Sequence, residues 1–281
     1  VRSGDGPAGQ AAGRSRHDLR ARSADRRHPP LPDRLEGLPD LPTGYARALD
    51  AGLTTLGLTL ADDARAAIDG HVRLLLGWTE AINLTSIRSP AEVARLHVLD
   101  SLIGITFLRD LGSPPLLDLG SGGGFPGLPL AAVLRPARAC LVDATAKKAR
   151  FLETVVRAVG LAGRVEAIAA RAEALAAGPD RERWPVVTAR AVGSLAELAE
   201  LAFPLLQPGG RLIAWKRGDL TVERAALGRA VRALGSGDVE VEIAAPEALD
   251  LPGHRLVVVR KGGRTDGLYP RDPGLRRRRP W

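Results

Sequence analysis

The stretch LLDLGSGGGFPGLPL, residues 116–130, decides how the rest of the chain is read. Apolar residues lead into Asp118, a glycine-dense turn follows, and Pro126 opens an apolar run, the pattern of a buried strand, a tight loop and the first turn of a helix. Pro126 suits a first helical position, where its missing N–H costs nothing. Gly120, Gly122 and Gly124 strip the turn of Cβ atoms, so backbone amides can approach a ligand closely with a helix N-terminus behind them. The loop therefore reads as the cradle of a nucleotide-like cofactor. Gly122, Gly124 and Gly127 also satisfy G-x-G-x-x-G, which keeps a nicotinamide cofactor in view. Asp118, in the approach to the loop, would repel a pyrophosphate and favour a cationic aminoacyl cofactor. Asp143 ends the next apolar run, roughly 20 residues on, where an acid can bond ribose hydroxyls of either cofactor. The discrimination at this stage rests on Asp118.

Downstream the alternation is regular. Strands are expected at 139–142, 165–169, 185–191, 211–215, 239–243 and 256–259. Helices are expected at 128–134, 146–161, 194–206 and 222–234, with a turn at 208–210. Strands alternating with helices imply a mainly parallel sheet covered on both faces, here closed by an antiparallel edge hairpin. Ligands on such sheets bind beyond the carboxyl ends of the strands. Asp118 to Gly124, Asp143, Ala172, Glu173 and Arg190 all fall at such ends, so one crevice can gather them.

Upstream, residues 45–111 turn helical. Ala66, Ala67, Ile68, Val72, Leu75, Leu76 and Ile82 recur at three and four after the helix-starting pair Asp62 and Asp63. A further helix is expected from Pro90, with Ser89 as its cap and Val93, Leu96, Val98 and Leu99 inward. Asn83, Thr85, His97 and Asp100 either face a cleft or are merely solvated and capping. The organisation that follows is a disordered N-terminal extension over 1–42, a helical cap over 43–112, an α/β core over 113–262 and a basic tail over 263–281.

Composition narrows the classes. An apolar content of 45% in 281 residues supports a sizeable core. The single cysteine, Cys140, lies inside an expected strand, which leaves no disulfide framework and no cysteine metal site, and fits a cytoplasmic setting. The formal net charge is +8, carried almost wholly by arginine, with Lys147, Lys148, Lys216 and Lys261 the lysines. That surplus favours a polyanionic partner, nucleic acid first. No apolar run is long enough to cross a membrane. The tail's Arg264, Arg271 and run 276–279 read as a solvated or floppy end, or as a grip on phosphates.

The segments NLTSIRSPAEVARLHVLDSL, LLDLGSGGGFPGLPLA, LVDATAKKARFLETVV, ARAVGSLAEL and PGGRLIAWKRG, in that order, resemble one bacterial family. It is the small-subunit ribosomal RNA guanine-N7 methyltransferases, and the likeness runs from about Tyr45 to about Lys261. The ending YPRDPGLRRRRP is similar to the ends of some members. The resemblance implies a seven-stranded Rossmann-like, S-adenosylmethionine-dependent methyltransferase with an N-terminal helical cap. It implies methylation of a guanosine at N7 in the 530-loop region of 16S ribosomal RNA, either naked or within the small subunit; a monomer is expected. Position by position, Gly120 and Phe125 fall on cofactor-contacting residues, Ala172 and Glu173 on the pair beside the adenine, Asp143 near the ribose, and Arg190 on the arginine after the fourth strand. Lys147 and Arg150 fall on basic positions of the next helix. Arg217 stands where many members have glycine, and Gly193 where alanine or serine is usual.

The chemistry agrees with that target. Carbon-5 of a pyrimidine needs a cysteine nucleophile, and an exocyclic amine is usually served by an Asn-Pro-Pro-Tyr type motif after the fourth strand. Here that place reads ARAV, residues 189–192. Guanine N7 carries a lone pair and no proton, and needs neither nucleophile nor base. Asp118, Gly120, Gly122 and Gly124 are expected around the methionine end of the cofactor. Arg190 is expected between cofactor and target, or else in an ion pair with Asp118 or Glu173. Lys147, Lys148, Arg150 and Lys216 are candidate phosphate contacts. A nicotinamide oxidoreductase and a non-catalytic RNA-binding module remain the competing readings.

Overall fold

Seven strands form one sheet: β1 (Leu116–Leu119), β2 (Ala139–Asp143), β3 (Val165–Ala169), β4 (Trp184–Arg190), β5 (Leu206–Arg217), β6 (Gly237–Ala244) and β7 (His254–Lys261). Their order in this computed structural model, which describes Val1 and residues 31–281, is β3-β2-β1-β4-β5-β7-β6. The first five are parallel and β7 runs antiparallel to both β5 and β6. Parallel neighbours need crossovers, and α6 (Gly127–Leu134), α7 (Ala146–Ala158), α8 (Ala172–Ala176) and α9 (Leu195–Ala202) supply them, with α10 (Thr221–Ala233) leading from β5 to β6. Every residue of β1 and β2 is buried, as continuous apolar runs covered on both faces require. The strand order reverses between β1 and β4, so the crevice beyond their carboxyl ends is the topological switch point. Antiparallel β7, lodged between β5 and β6, departs from the 3-2-1-4-5-6 order usual for dinucleotide-binding sheets.

The closing antiparallel hairpin is present, with β6 at the edge. Two boundaries differ most from expectation. β5 begins at Leu206 and absorbs the expected turn at 208–210, with Gly209 at φ +81°. α9 accordingly stops at Ala202; its start is fixed by Ser194, whose hydroxyl accepts from the Glu197 amide at 3.3 Å.

Among the described residues six helical pieces precede β1: α1 (Thr43–Thr55), α2 (Asp62–Thr79), α3 (Pro90–Val93), a π-helical turn (Ala94–Leu99), α4 (Asp100–Leu102) and α5 (Ile105–Asp110). α2 buries Ile68, His71, Val72, Leu75 and Trp78 along one face. The single helix expected from Pro90 is interrupted by the π turn, and Ser89 makes no side-chain cap bond. Such turns widen the helix and free carbonyls, often at functional sites.

The chain divides into Val1–Leu31 and Pro32–Trp281. Of the expected N-terminal extension, residues 2–30 lie outside the described residues. Its last part does not behave as an extension. Trp78 Nε1 donates to the Pro32 carbonyl at 2.6 Å, and Arg73 Nε to that of Pro39 at 2.9 Å, so residues 32–42 are held on α2.

The basic tail is likewise folded rather than solvated. Glu200, on α9 and fully buried, accepts from the Arg271 amide (2.9 Å), from Arg271 Nε (2.8 Å) and Nη2 (2.6 Å), and from Trp281 Nε1 (2.6 Å). α11 (Pro273–Arg278) follows, capped by Asp272, whose carboxylate accepts from the Gly274 and Leu275 amides. Lys261, also fully buried, donates to Glu182 Oε1 (2.8 Å) and to the carbonyls of Phe203 and Leu206 (2.6 and 2.7 Å).

Candidate functional site at the switch point

Two carboxylates hold the glycine turn from beneath. Asp118, with no exposed surface, accepts from Thr188 Oγ1 at 2.7 Å and from the Gly127 amide at 3.2 Å. Asp143 accepts from the Gly122 amide at 3.0 Å and the Thr145 amide at 2.8 Å. The expectation that Asp118 meets a cationic ligand is therefore corrected: its carboxylate turns to the first amide of α6, where a helix N-terminus attracts negative charge. Gly127 permits that approach, since a Cβ there would stand 2.7 Å from Asp118 Oδ2.

Burial pushes the Asp118 carboxyl up to about 6, against the lowering effect of Thr188, Ser121 and Gly127. A folded-state value above the unfolded one favours the protonated native state, so this group's contribution is complete below about pH 4 and lost as pH rises through about 6. The span is about 3 kcal/mol, at 1.36 kcal/mol per pKa unit. Asp118→Asn cannot titrate. The melting temperature of the ligand-free wild type should therefore fall, relative to that of the variant, between pH 4 and pH 7; parallel curves would refute the assignment.

The turn is also pinned by His71 of α2. Its Nε2 lies 2.7 Å from the Gly123 carbonyl, which places the proton on that nitrogen, and its ring centroid is 4.5 Å from that of Phe125. Burial lowers its pKa to about 4, so the ring is neutral at pH 7. The sequence reading passed over His71. The available signal was a titratable residue on the apolar face shared by Ile68, Val72 and Leu75.

Above the turn lies a cavity of about 430 Å³, lined by Gly120 to Gly123, Phe125, His97 and Arg190 among others. It shares Gly120 with a second cavity of about 180 Å³, whose walls include Val142, Ala172, Glu173 and Val192. It shares Asp100, Arg190 and His254 with a third of about 230 Å³, floored by Trp215 and bordered by Arg217. Gly120 sits at φ +70°, and a Cβ on it would meet Val192 Cγ2 at 2.5 Å. The crevice is thus a row of three neighbouring spaces that share lining residues, with Gly120 of the turn between the first two.

The boundary between the central and third spaces is a charged network. Arg190, at the end of β4, donates to Asp100 Oδ2 at 3.0 Å, to the Leu96 carbonyl at 3.2 Å and to His97 Nδ1 at 3.1 Å. That carbonyl belongs to the π turn. Since Nδ1 accepts from the guanidinium, His97 carries its proton on Nε2, 2.7 Å from Thr85 Oγ1. Burial and the neighbouring Arg190 lower the His97 pKa to about 3, and it stays neutral. Asp100, only 3% exposed, also receives His254 Nδ1 at 2.9 Å, and Trp215 Nε1 donates to its carbonyl at 2.7 Å. The Arg190 guanidinium stands 5.3 Å over the Phe125 ring.

Of the residues expected at the site, Gly120, Gly122, Phe125, Lys148 and Arg190 line the central cavity, and Ala172 and Glu173 the second. Gly124 does not line the cavity; a Cβ on it would stand 2.8 Å from His71 Nε2, so its bareness makes room for that ring. Arg190 pairs with Asp100 rather than with Asp118 or Glu173. Lys147 and Arg150 are exposed on α7. Lys216 is not free for phosphate: its ammonium bonds Glu223 at 2.7 Å and the Gly193 carbonyl at 2.9 Å, and its side chain is 12% exposed. Of the cleft candidates Asn83, Thr85, His97 and Asp100, the last three join the network and Asn83 is exposed. The Cys140 thiol is buried inside β2, and burial raises its pKa. Among the described residues no cluster of His, Cys, Asp and Glu could hold a metal, and no helix is long and apolar enough to cross a membrane.

Comparison with known proteins places the crevice in context. A family model described as rRNA small subunit methyltransferase G matches residues 65–247. Proteins named ribosomal RNA small subunit methyltransferase G are 38% identical over 231 residues in Dehalococcoides mccartyi, covering 82% of this chain and 97% of that one. In Chloroflexus aggregans the figures are 39% over 240 residues, 83% and 97%, and in a Roseiflexus species 40% over 211 residues, 73% and 87%.

Proposed function

The chain belongs to the rRNA small subunit methyltransferase G family, and from that membership we propose that it transfers a methyl group from S-adenosylmethionine to N7 of a guanosine in 16S ribosomal RNA. The observation that carries the reading is Gly120, a cradle that a Cβ would fill, at the meeting of the central cavity and the Glu173 cavity. The bare turn from Gly120 to Gly123 suits the methionyl part of the cofactor, and Ala172 and Glu173 suit the adenine. Asp143 keeps lone pairs for a ribose hydroxyl beyond its two backbone bonds. When bound, the cofactor supplies a methyl group on a sulfonium centre, which an in-line nucleophile can displace.

The protein's part is alignment and exclusion of water. Arg190, fixed from three sides, stands where the cofactor space meets the Trp215 cavity, and that third space is assigned to the guanine. Arg217 and His254 border it and can donate to the base or its phosphates. His97 stays neutral and orients Arg190. Purine N7 attacks through its own lone pair, so the reaction asks for no thiol, in keeping with the burial of Cys140 within β2. Lys147, Lys148 and Arg150 flank the approach from α7, each worth about one unit of salt slope in RNA binding. Lys216 instead braces β5 against α10. The chain is read as a monomer acting in the cytoplasm, and sedimentation of the purified protein tests the first of these.

Mass mapping of small-subunit RNA from cells lacking the chain should show loss of one N7-methylguanosine, restored by the intact gene. An unchanged map, together with saturable NAD binding and no binding of S-adenosylmethionine, would overturn the reading in favour of the oxidoreductase.

A further inference from the structure

The C-terminal segment reaches the cofactor crevice. Arg276 of α11 pairs with Glu173 Oε1 and lines the same cavity as Glu173 and Gly120. Its guanidinium also donates to the Arg271 carbonyl at 2.7 Å, and its side chain is 11% exposed. Its Nε is buried with no hydrogen-bond partner among the described residues.

The segment that delivers Arg276 is anchored. Glu200 takes four hydrogen bonds from Arg271 and Trp281, and the Arg271 guanidinium lies 4.3 Å over the Trp281 ring. The Asp272 cap fixes the start of α11 between those two anchors. Arg271 and Arg276 thus spend their charge inward on Glu200 and Glu173, while Arg277, Arg278 and Arg279 face solvent.

We propose that residues 271–281 form a strap across the adenosine end of the crevice, in which Arg276 is a positioning residue that sets the Glu173 carboxylate for the adenine. The inference rests on the assignment of this cavity to S-adenosylmethionine. It makes the strap part of the cofactor site, not an RNA grip.

Calorimetric titration of the full chain with S-adenosylhomocysteine and with adenosine tests it. Arg276→Ala should weaken both ligands by the same factor, about tenfold, the scale of one charge-assisted hydrogen bond. Arg276→Lys should recover part of the loss, and exposed Arg279→Ala should match the wild type. In a double-mutant cycle, Arg276→Ala should cost much less in a Glu173→Gln background, because the two act through each other. A merely structural arginine would instead give additive losses, and additivity overturns the proposal. So does wild-type affinity in Arg276→Ala, or a fall in RNA affinity and salt slope with cofactor affinity intact, which would assign Arg276 to phosphate. Failure of the wild type itself to bind S-adenosylhomocysteine would overturn the cofactor assignment and the strap with it.

Discussion

Gly120→Val should reduce affinity for S-adenosylhomocysteine by about 1000-fold, equivalent to ~4 kcal/mol. Two costs combine. At φ +70° a residue with a Cβ is strained by about 1–2 kcal/mol, more for a β-branched one. The new Cβ also meets Val192 Cγ2 at 2.5 Å, and overfilling a packed site typically costs about 1–3 kcal/mol. The turn relieves both by leaving its cradle conformation, and a ligand must then pull it back at the expense of its own affinity. Gly120→Ala, with one methyl instead of three carbons, should fall between the two. Calorimetry on protein of unchanged circular dichroism checks the order. A valine variant that is folded and binds within tenfold of wild type would refute the role of the turn.

Asp100→Ala is the second large effect, and it acts on turnover and on stability. Asp100 is the one described carboxylate that joins Arg190 of β4, His254 of β7 and the π turn, whose Leu96 carbonyl shares the guanidinium. Removing one partner of a buried pair leaves the other charge uncompensated, at a cost of about 3–5 kcal/mol. Arg190 then loses one of its three holds and can swing between the central and third cavities. A displacement of about 1 Å at a reacting geometry costs on the order of 100-fold in rate. The expected result is a kcat lower by about that factor with KM for S-adenosylmethionine little changed, since the glycine turn and the Glu173 cavity are untouched. A parallel rise in KM would instead mean that Asp100 shapes the cofactor space. Asp100→Asn keeps the volume but not the charge, so it should lose both rate and much of the same stability, which separates the ion pair from simple packing.

Both predictions join a residue legible in the sequence to partners that were not. Gly120 could be read from LLDLGSGGGFPG because glycine density reports backbone conformation, a local property. Val192, which makes that glycine obligatory, is distant in sequence and adjacent only through β1–β4 pairing. Asp100 and His97 could be placed near a cleft from the order of segments. Whether they were solvated or engaged depended on Arg190 and His254, ninety or more residues away, so pattern alone left both options standing. Asp118 shows the reverse error. Its position before the turn was informative, but direction was not: a short carboxylate beside the first amide of α6 turns inward to satisfy that amide rather than outward to a ligand.

By itself the sequence determined the alternating strands and helices, the cofactor turn and the resemblance to one methyltransferase family, because periodicity, glycine spacing and segment order are carried along the chain. Tertiary structure alone decided which charges are spent on the protein and which face the crevice. Lys216 and Arg271 read as free cations until Glu223 and Glu200 were seen to hold them, and residues 32–42 and the arginine tail read as loose ends until α2 and α9 were seen beneath them. The physical reason is that a side chain's free energy depends on what surrounds it in space, and for these groups the neighbours come from elements far away in sequence.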